Sequence, residues 1–185
     1  HLIDTLDDSF EIYFQPFLNG DRPDIILMKE KSGVVIIEVK DWNLSSYVVS
    51  EDNSWSLLNK KNQFISSPFR QVFSYKSNLY SLHINGLIEE KIKNPSLYNI
   101  IKPFVYFHNQ TKKDINKLYE EPLKKVSTGR SKINEIRGKD ISINPDNKKI
   151  MQENYEKKWT YLDRKSRQIN RDRGISMTHE NLNKI

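Results

Sequence analysis

The 185-residue chain contains no cysteine, which excludes disulfide frameworks and thiolate metal sites and leads to the expectation of a reducing, cytoplasmic setting. Histidine is scarce, and its four occurrences form no cluster with metal-ligand spacing. No run approaches the ~18 apolar residues that a membrane helix needs, so no membrane partner is expected. No signal peptide opens the chain, and no internal repeat or low-complexity segment interrupts it. A hydrophobic content of 36% beside 29% charged residues describes a soluble protein with a polar surface, long enough for one real core and an appendage. The first residue is His1 rather than Met, which suggests that further residues precede it in the native protein.

Charge is present, but unevenly. Residues 1–110 carry 11 Lys/Arg against 13 Asp/Glu, whereas residues 111–185 carry 19 against 11. Such asymmetry points to a polyanion meeting the second part. A solvated helical surface explains it equally well.

Along the chain, residues 2–11 read as the end of a helix running into a strand over Glu11–Phe17. Asn19-Gly20-Asp21-Arg22-Pro23 reads as a turn. Asp24–Lys29 and Val34–Trp42 then read as two strands of a hairpin. Tyr47–Val49 and Trp55–Leu58 look like a small added hairpin. Ser67 is a good N-cap and Pro68 suits a first helical position, so Phe69–His83 is predicted to be helical. Ile100–His108 is a strand candidate that Pro103 confines to an edge or to a late start. Beyond it, short basic helical pieces are predicted at 112–121 and 130–137, a last strand at Asp140–Ile143, and a charged helix at 148–170. That helix carries Met151, Tyr155, Trp159 and Leu162 on one stripe.

The stretch Val34–Trp42 (VVIIEVKDW) begins as a buried strand and then admits two charges on one face. Alternation places Val34, Ile36, Glu38, Lys40 and Trp42 together. Asp24, at the head of the preceding strand, is 14 residues from Glu38, so the two carboxylates are expected to converge. Two carboxylates that close repel unless a cation lies between them. With oxygen donors only, the natural candidate is a hard divalent ion, Mg²⁺ first and Mn²⁺ second. The carbonyl of Val39 is a further oxygen in reach. Lys40 is placed to orient or deprotonate a water and to stabilise charge on a phosphate.

Taken singly, each residue has an ordinary explanation. Asp24 is a turn residue, Glu38–Lys40 a surface pair worth under ~1 kcal/mol, and Gln71 and Tyr75 neighbours on a helix face. Trp42 and Trp55 read as packing residues, His83 and His108 as structural. Joint spacing lifts Asp24, Glu38, Lys40 and Gln71 above those explanations.

Pro23-Asp24, then Glu38-Val39-Lys40-Asp41-Trp42, then Ser67-Pro68-Phe69-Arg70-Gln71 with Tyr75 one turn on, resemble the PD-(D/E)xK nucleases. The closer resemblance is to their nuclease-related domain (NERD) family. It implies a restriction-endonuclease-like α/β core over 1–110, with a central mixed sheet flanked by helices; the basic, mainly helical extension over 111–185 either completes the same domain or leads into a partner module. It also implies metal-dependent hydrolysis of nucleic-acid phosphodiesters, DNA before RNA. Asp24 and Glu38 would hold the metal, Lys40 would act on the water, and Gln71 would support the site or the phosphate backbone. A helicase module is a common neighbour in the family, and residues 111–173 with the trailing GISMTHENLNKI would lead towards one. One element departs from the pattern. Members usually carry a further glutamate on a first helix, ahead of the segment matching Leu6–Phe14, a position that would precede His1. Glu11 is a poor substitute because it lies where the chain reads as extended. A non-catalytic DNA-docking or scaffold domain is therefore the alternative, and a plain interaction domain with an accidental E-x-K a third.

Overall fold

The computed structural model describes residues 6–84, 86–137 and 145–180. Its strands are β1 (Phe10–Phe14), β2 (Ile25–Lys29), β3 (Gly33–Lys40), β4 (Tyr47–Val49), β5 (Trp55–Leu57), β6 (Lys60–Ile65), β7 (Ile101–Phe107) and β8 (Ser176–Met177). Its helices are α1 (Pro68–Asn78), α2 (Leu87–Lys93), α3 (Lys112–Arg137) and α4 (Pro145–Gly174). The chain forms two compact units that interleave in sequence. One comprises His1–Trp42, Ser66–Thr111 and Ile175–Ile185; the other comprises Asn43–Ile65 and Lys112–Gly174. A linear division at residue 110 does not follow these units.

The first unit is built on a five-stranded mixed sheet in the order β1-β2-β3-β7-β8. β2 runs antiparallel to both of its neighbours, β1 and β3, and β7 and β8 continue parallel to β3. Register puts Ile26, Ile36, Glu38 and Lys40 on one face with Pro103, Val105 and Phe107. α1 lies on that face, burying Phe69 and Val72, with the Phe69 ring 6.3 Å from that of Phe107. Each such fully buried apolar side chain stabilises the fold by about 1.5–3 kcal/mol. The helix starts where expected: the Ser67 side chain accepts from the Phe69 N–H, and Pro68 occupies the first turn.

Pro103 is tolerated for a specific reason. Val105 donates its N–H outward to the Ile175 carbonyl, so the same-parity Pro103 would aim its missing N–H at the stretch before β8 begins. The strand is covered on one side only at that point. Gly33 is required at the other end of the β3–β7 pair. Its φ is +134°, and a Cβ there would lie 2.4 Å from the Ile100 carbonyl oxygen.

Several sequence expectations are corrected. β1 ends at Phe14 rather than Phe17, because Gln15 turns to φ +44° and donates its N–H to the Asp24 carbonyl. Leu6–Ser9 form bends and turns, not helix. The helix from Pro68 closes with a wider π-type turn at Leu79–His83. The segment GISMTHENLNKI does not simply trail, since Ser176 and Met177 extend the sheet as β8. The expected strand at Asp140–Ile143 lies outside the described residues.

In the second unit β4, β5 and β6 form an antiparallel three-stranded sheet, and α3 packs against β4 and α4. Trp55 is fully buried, edge-on to Tyr119 at 6.3 Å, which matches its expected packing role. The two short basic pieces are one helix, α3, running through Pro122. Gly129 does not break it. A Cβ there would meet Leu162 of α4 at 3.0 Å, so glycine permits the close approach of the two helices. No helix among the described residues is long and apolar enough to cross a membrane.

Candidate active site

Asp24 immediately precedes β2, and its position follows from where β2 stops. The last β2–β3 pair is Ile25 with Ile37, so the N–H of Val39, facing the same side, has no strand partner. The Asp24 carboxylate takes that place, accepting from the Val39 N–H at 2.8 Å. The Val39 carbonyl points to the same uncovered edge, whereas the Lys40 carbonyl turns to β7 and accepts from the His108 N–H at 2.9 Å. An open cleft of about 510 Å³ lies here, lined by Phe14, Gln15, Asp24, Ile25, Val39 and Asp41.

Glu38 is only 3% exposed, on the face covered by α1. Its Oε1 accepts from Lys40 Nζ at 2.6 Å, while its Oε2 is buried and has no hydrogen-bond partner among the described residues. Burial raises the Glu38 carboxyl above its usual range, Lys40 pulls it down, and the neighbouring Asp24 carboxylate pushes it up again. The net shift is upward: desolvation and like charge outweigh the lysine.

Lys40 also donates to Gln71 Oε1 at 3.2 Å. Gln71 in turn donates from Nε2 to the Tyr75 hydroxyl at 2.8 Å, and Tyr75 donates to the Arg22 carbonyl at 3.3 Å. The i, i+4 spacing of Gln71 and Tyr75 on α1 produces this relay. It fixes the lysine amine between a strand carboxylate and a helix amide. Lys40 Nζ also lies 5.6 Å from the Trp42 ring centroid.

Asp24, Glu38, Val39, Lys40 and Gln71 thus all meet at one end of the sheet. Glu11 stands apart on β1, where its carboxylate accepts from the Tyr13 hydroxyl. His108 is exposed, with Tyr106 as its ring neighbour at 6.0 Å, and the side chain of His83 is outside what is described. Sequence reasoning did not find Phe14 or Gln15 as walls of the cleft. Only the register of β1 against β2 brings them there.

The donor set suits a hard cation: two adjoining carboxylates, one with an orphaned buried oxygen, and a main-chain carbonyl at the strand edge. No group of three His, Cys, Asp or Glu residues that could hold a metal ion is present among the described residues, so solvent or substrate oxygens would complete the coordination shell.

A mixed sheet with a carboxylate pair and a lysine where the parallel β3 ends, backed by a helix that supplies a glutamine, defines a nuclease-like α/β core. The nuclease-related domain family model matches residues 1–108, and the chain belongs to that family. No match is found among curated proteins or solved structures.

Proposed function

We propose that this protein is a metal-dependent nuclease that hydrolyses nucleic-acid phosphodiester bonds, with DNA as the substrate. The observation that carries the reading is the juxtaposition of Asp24 and Glu38, whose buried Oε2 has no partner among the described residues, with the anchored amine of Lys40. Asp24, Glu38 and the Val39 carbonyl would hold Mg²⁺ or Mn²⁺. Such an ion, when bound, supplies Lewis acidity towards the phosphate and a lowered pKa for a bound water.

The chain's own residues do the rest. Lys40, held by Glu38 and Gln71, presents its charge to a phosphate oxygen and orients the attacking water. Gln71 positions the lysine and is itself positioned by Tyr75. The raised carboxyl of Glu38 means that the site favours a neutralising positive charge, which a cation supplies without protonation.

The test is cleavage of single- and double-stranded DNA and RNA with Mg²⁺ or Mn²⁺. Lys40→Ala is expected to lower the rate ~100–1,000-fold, as removal of a well-placed electrostatic group typically does, while leaving nucleic-acid binding intact. Glu38→Ala is expected to lose cleavage and metal binding together. Tight binding of nucleic acid without cleavage in the parent protein would replace the enzyme with a docking module that keeps the fold.

A further inference from the structure

Away from the cleft, the buried end of α1 carries a lysine that the proposed chemistry does not use. Lys76 is 4% exposed, on the same helix face as Phe69 and Val72. Its Nζ lies 3.7 Å from the centroid of the Tyr98 ring, in the turn Pro95–Asn99. Lys91 of α2 joins it, 5.0 Å from the Tyr98 centroid and 5.2 Å from that of Tyr80. Tyr80 and Tyr98 are stacked at 5.5 Å, and the Tyr80 hydroxyl donates to the Leu97 carbonyl, which fixes the rings. Two ammonium groups therefore converge on one aromatic ring.

No carboxylate among the described residues forms an ion pair with either. The nearest charged neighbours on α2 are Glu89, which is exposed, and Glu90, which is paired with Lys93 at 2.7 Å. A cation–π contact recovers part of the desolvation cost of one buried ammonium. It does nothing for the repulsion between two. Burial and the charge of Lys91 hold the Lys76 amine down at about 8, so Lys76 still carries charge at neutral pH. Tyr98 is 40% exposed, so the ring that both ammonium groups contact reaches solvent.

We propose that Lys76 and Lys91, seated on the Tyr80–Tyr98 stack, form an oxyanion site that takes a phosphate group. Lys76 supplies a pre-oriented, poorly hydrated donor, and Lys91 a less buried one. A phosphate between them satisfies both ammonium groups with short charge-assisted bonds and cancels their repulsion. The phosphate could arrive free or as part of a nucleic-acid backbone, and the experiment separates the two.

The experiment follows the lysine side-chain ¹³Cε and ¹⁵Nζ resonances of the whole protein by NMR while inorganic phosphate is added, with chloride at matched ionic strength as the control. Phosphate, and not chloride, is expected to shift Lys76 and Lys91 saturably and to move the Lys76 titration midpoint upward from about 8. Lys91→Met, at a half-buried position, is expected to weaken phosphate binding roughly 10- to 100-fold. A purely structural cation–π stack would instead lower the melting temperature and leave phosphate affinity unchanged. A single-stranded oligodeoxynucleotide without terminal phosphates that shifts both lysines assigns the site to the backbone; a response to inorganic phosphate alone assigns it to a small phosphorylated ligand. Equal shifts with chloride, or an unchanged affinity in Lys91→Met, overturn the proposal. The readout is independent of cleavage, so it stands or falls apart from the nuclease reading.

Discussion

Glu38 shows how a single residue sets stability against chemistry. Its carboxyl is raised in the fold, so the native state is favoured by protonation there. That contribution is fully present below the ordinary value of 4.5 and is lost as pH rises through the folded value. At neutral pH the carboxylate is therefore held at a cost. Glu38→Gln keeps the shape and an acceptor for Lys40 while removing the buried charge. It is expected to melt higher than the parent at pH 7, with the gap closing towards pH 4, and to lose cleavage. Each kcal/mol appears as ~2–4 °C in a protein of this size. A lower melting temperature at pH 7 would mean that the Lys40 attraction outweighs desolvation. Lys76 runs the other way on the pH axis. Its amine falls from 10.5 to about 8 on folding, so the unfolded chain binds more protons between those values. Stability should rise as pH climbs through that window, and Lys76→Met should flatten the rise. Denaturant melts of the two proteins across pH measure the difference.

Elements differ in how plainly the sequence announced them, and the reasons are physical. β2, β3 and the start of α1 were legible because each rests on a local signal: alternation or β-branching in the strands, and Ser67-Pro68 at the helix start. The convergence of Asp24 with Glu38 was legible because a short turn leaves two strand ends little choice. β6 was not, because Lys60–Ile65 is polar and becomes a strand only by pairing with β5. The continuity of α3 was missed because Pro122 and Gly129 lie between the two predicted pieces and disfavour helix locally, whereas packing against α4 favours an unbroken helix with a small residue at the contact. That tertiary override is common where propensity is weak. The β3–β7 junction offers the sharpest test at this scale. Gly33→Ala would press a Cβ on the Ile100 backbone oxygen and strain a φ of +134°. A strained backbone conformation alone costs ~1–3 kcal/mol, and the clash adds to it. Chemical denaturation should report that loss. Ser67→Ala, which removes only the cap on α1, should cost ~1 kcal/mol. If Gly33→Ala proved the milder of the two, the close approach at Ile100 would not be what holds the strands in register.

For the molecule as a whole, charge is divided between the two units, and the division has a measurable consequence. Residues 112–174 carry 18 Lys/Arg against 10 Asp/Glu, whereas the chain outside them carries 12 against 14. Several acids of the second unit are engaged within it: Asp163 pairs with Arg130 and Arg167, and the buried Asp172 with Arg171. Lys112, Lys113, Lys117, Lys124, Lys125, Lys157 and Lys158 are exposed, so they present positive charge to solvent. We propose that the basic helices supply the grip on nucleic acid and that the cleft in the first unit supplies the chemistry. Counterion release then makes binding fall with salt by a log–log slope of about −0.7 to −0.9 for each phosphate neutralised. Lys157→Gln/Lys158→Gln should make that slope shallower by up to about 2 and weaken binding most at low salt. Affinities of variant and parent should converge as salt rises, and the rate at saturating substrate should stay unchanged. Lys40→Ala should do the reverse, losing the rate while keeping most of the slope, since one contact among several carries little of it. Fluorescence anisotropy titrations across a salt series, paired with single-turnover cleavage, measure both. An unaltered slope in the double variant would remove these two lysines from the grip, and salt-independent binding by the parent would remove the electrostatic grip altogether.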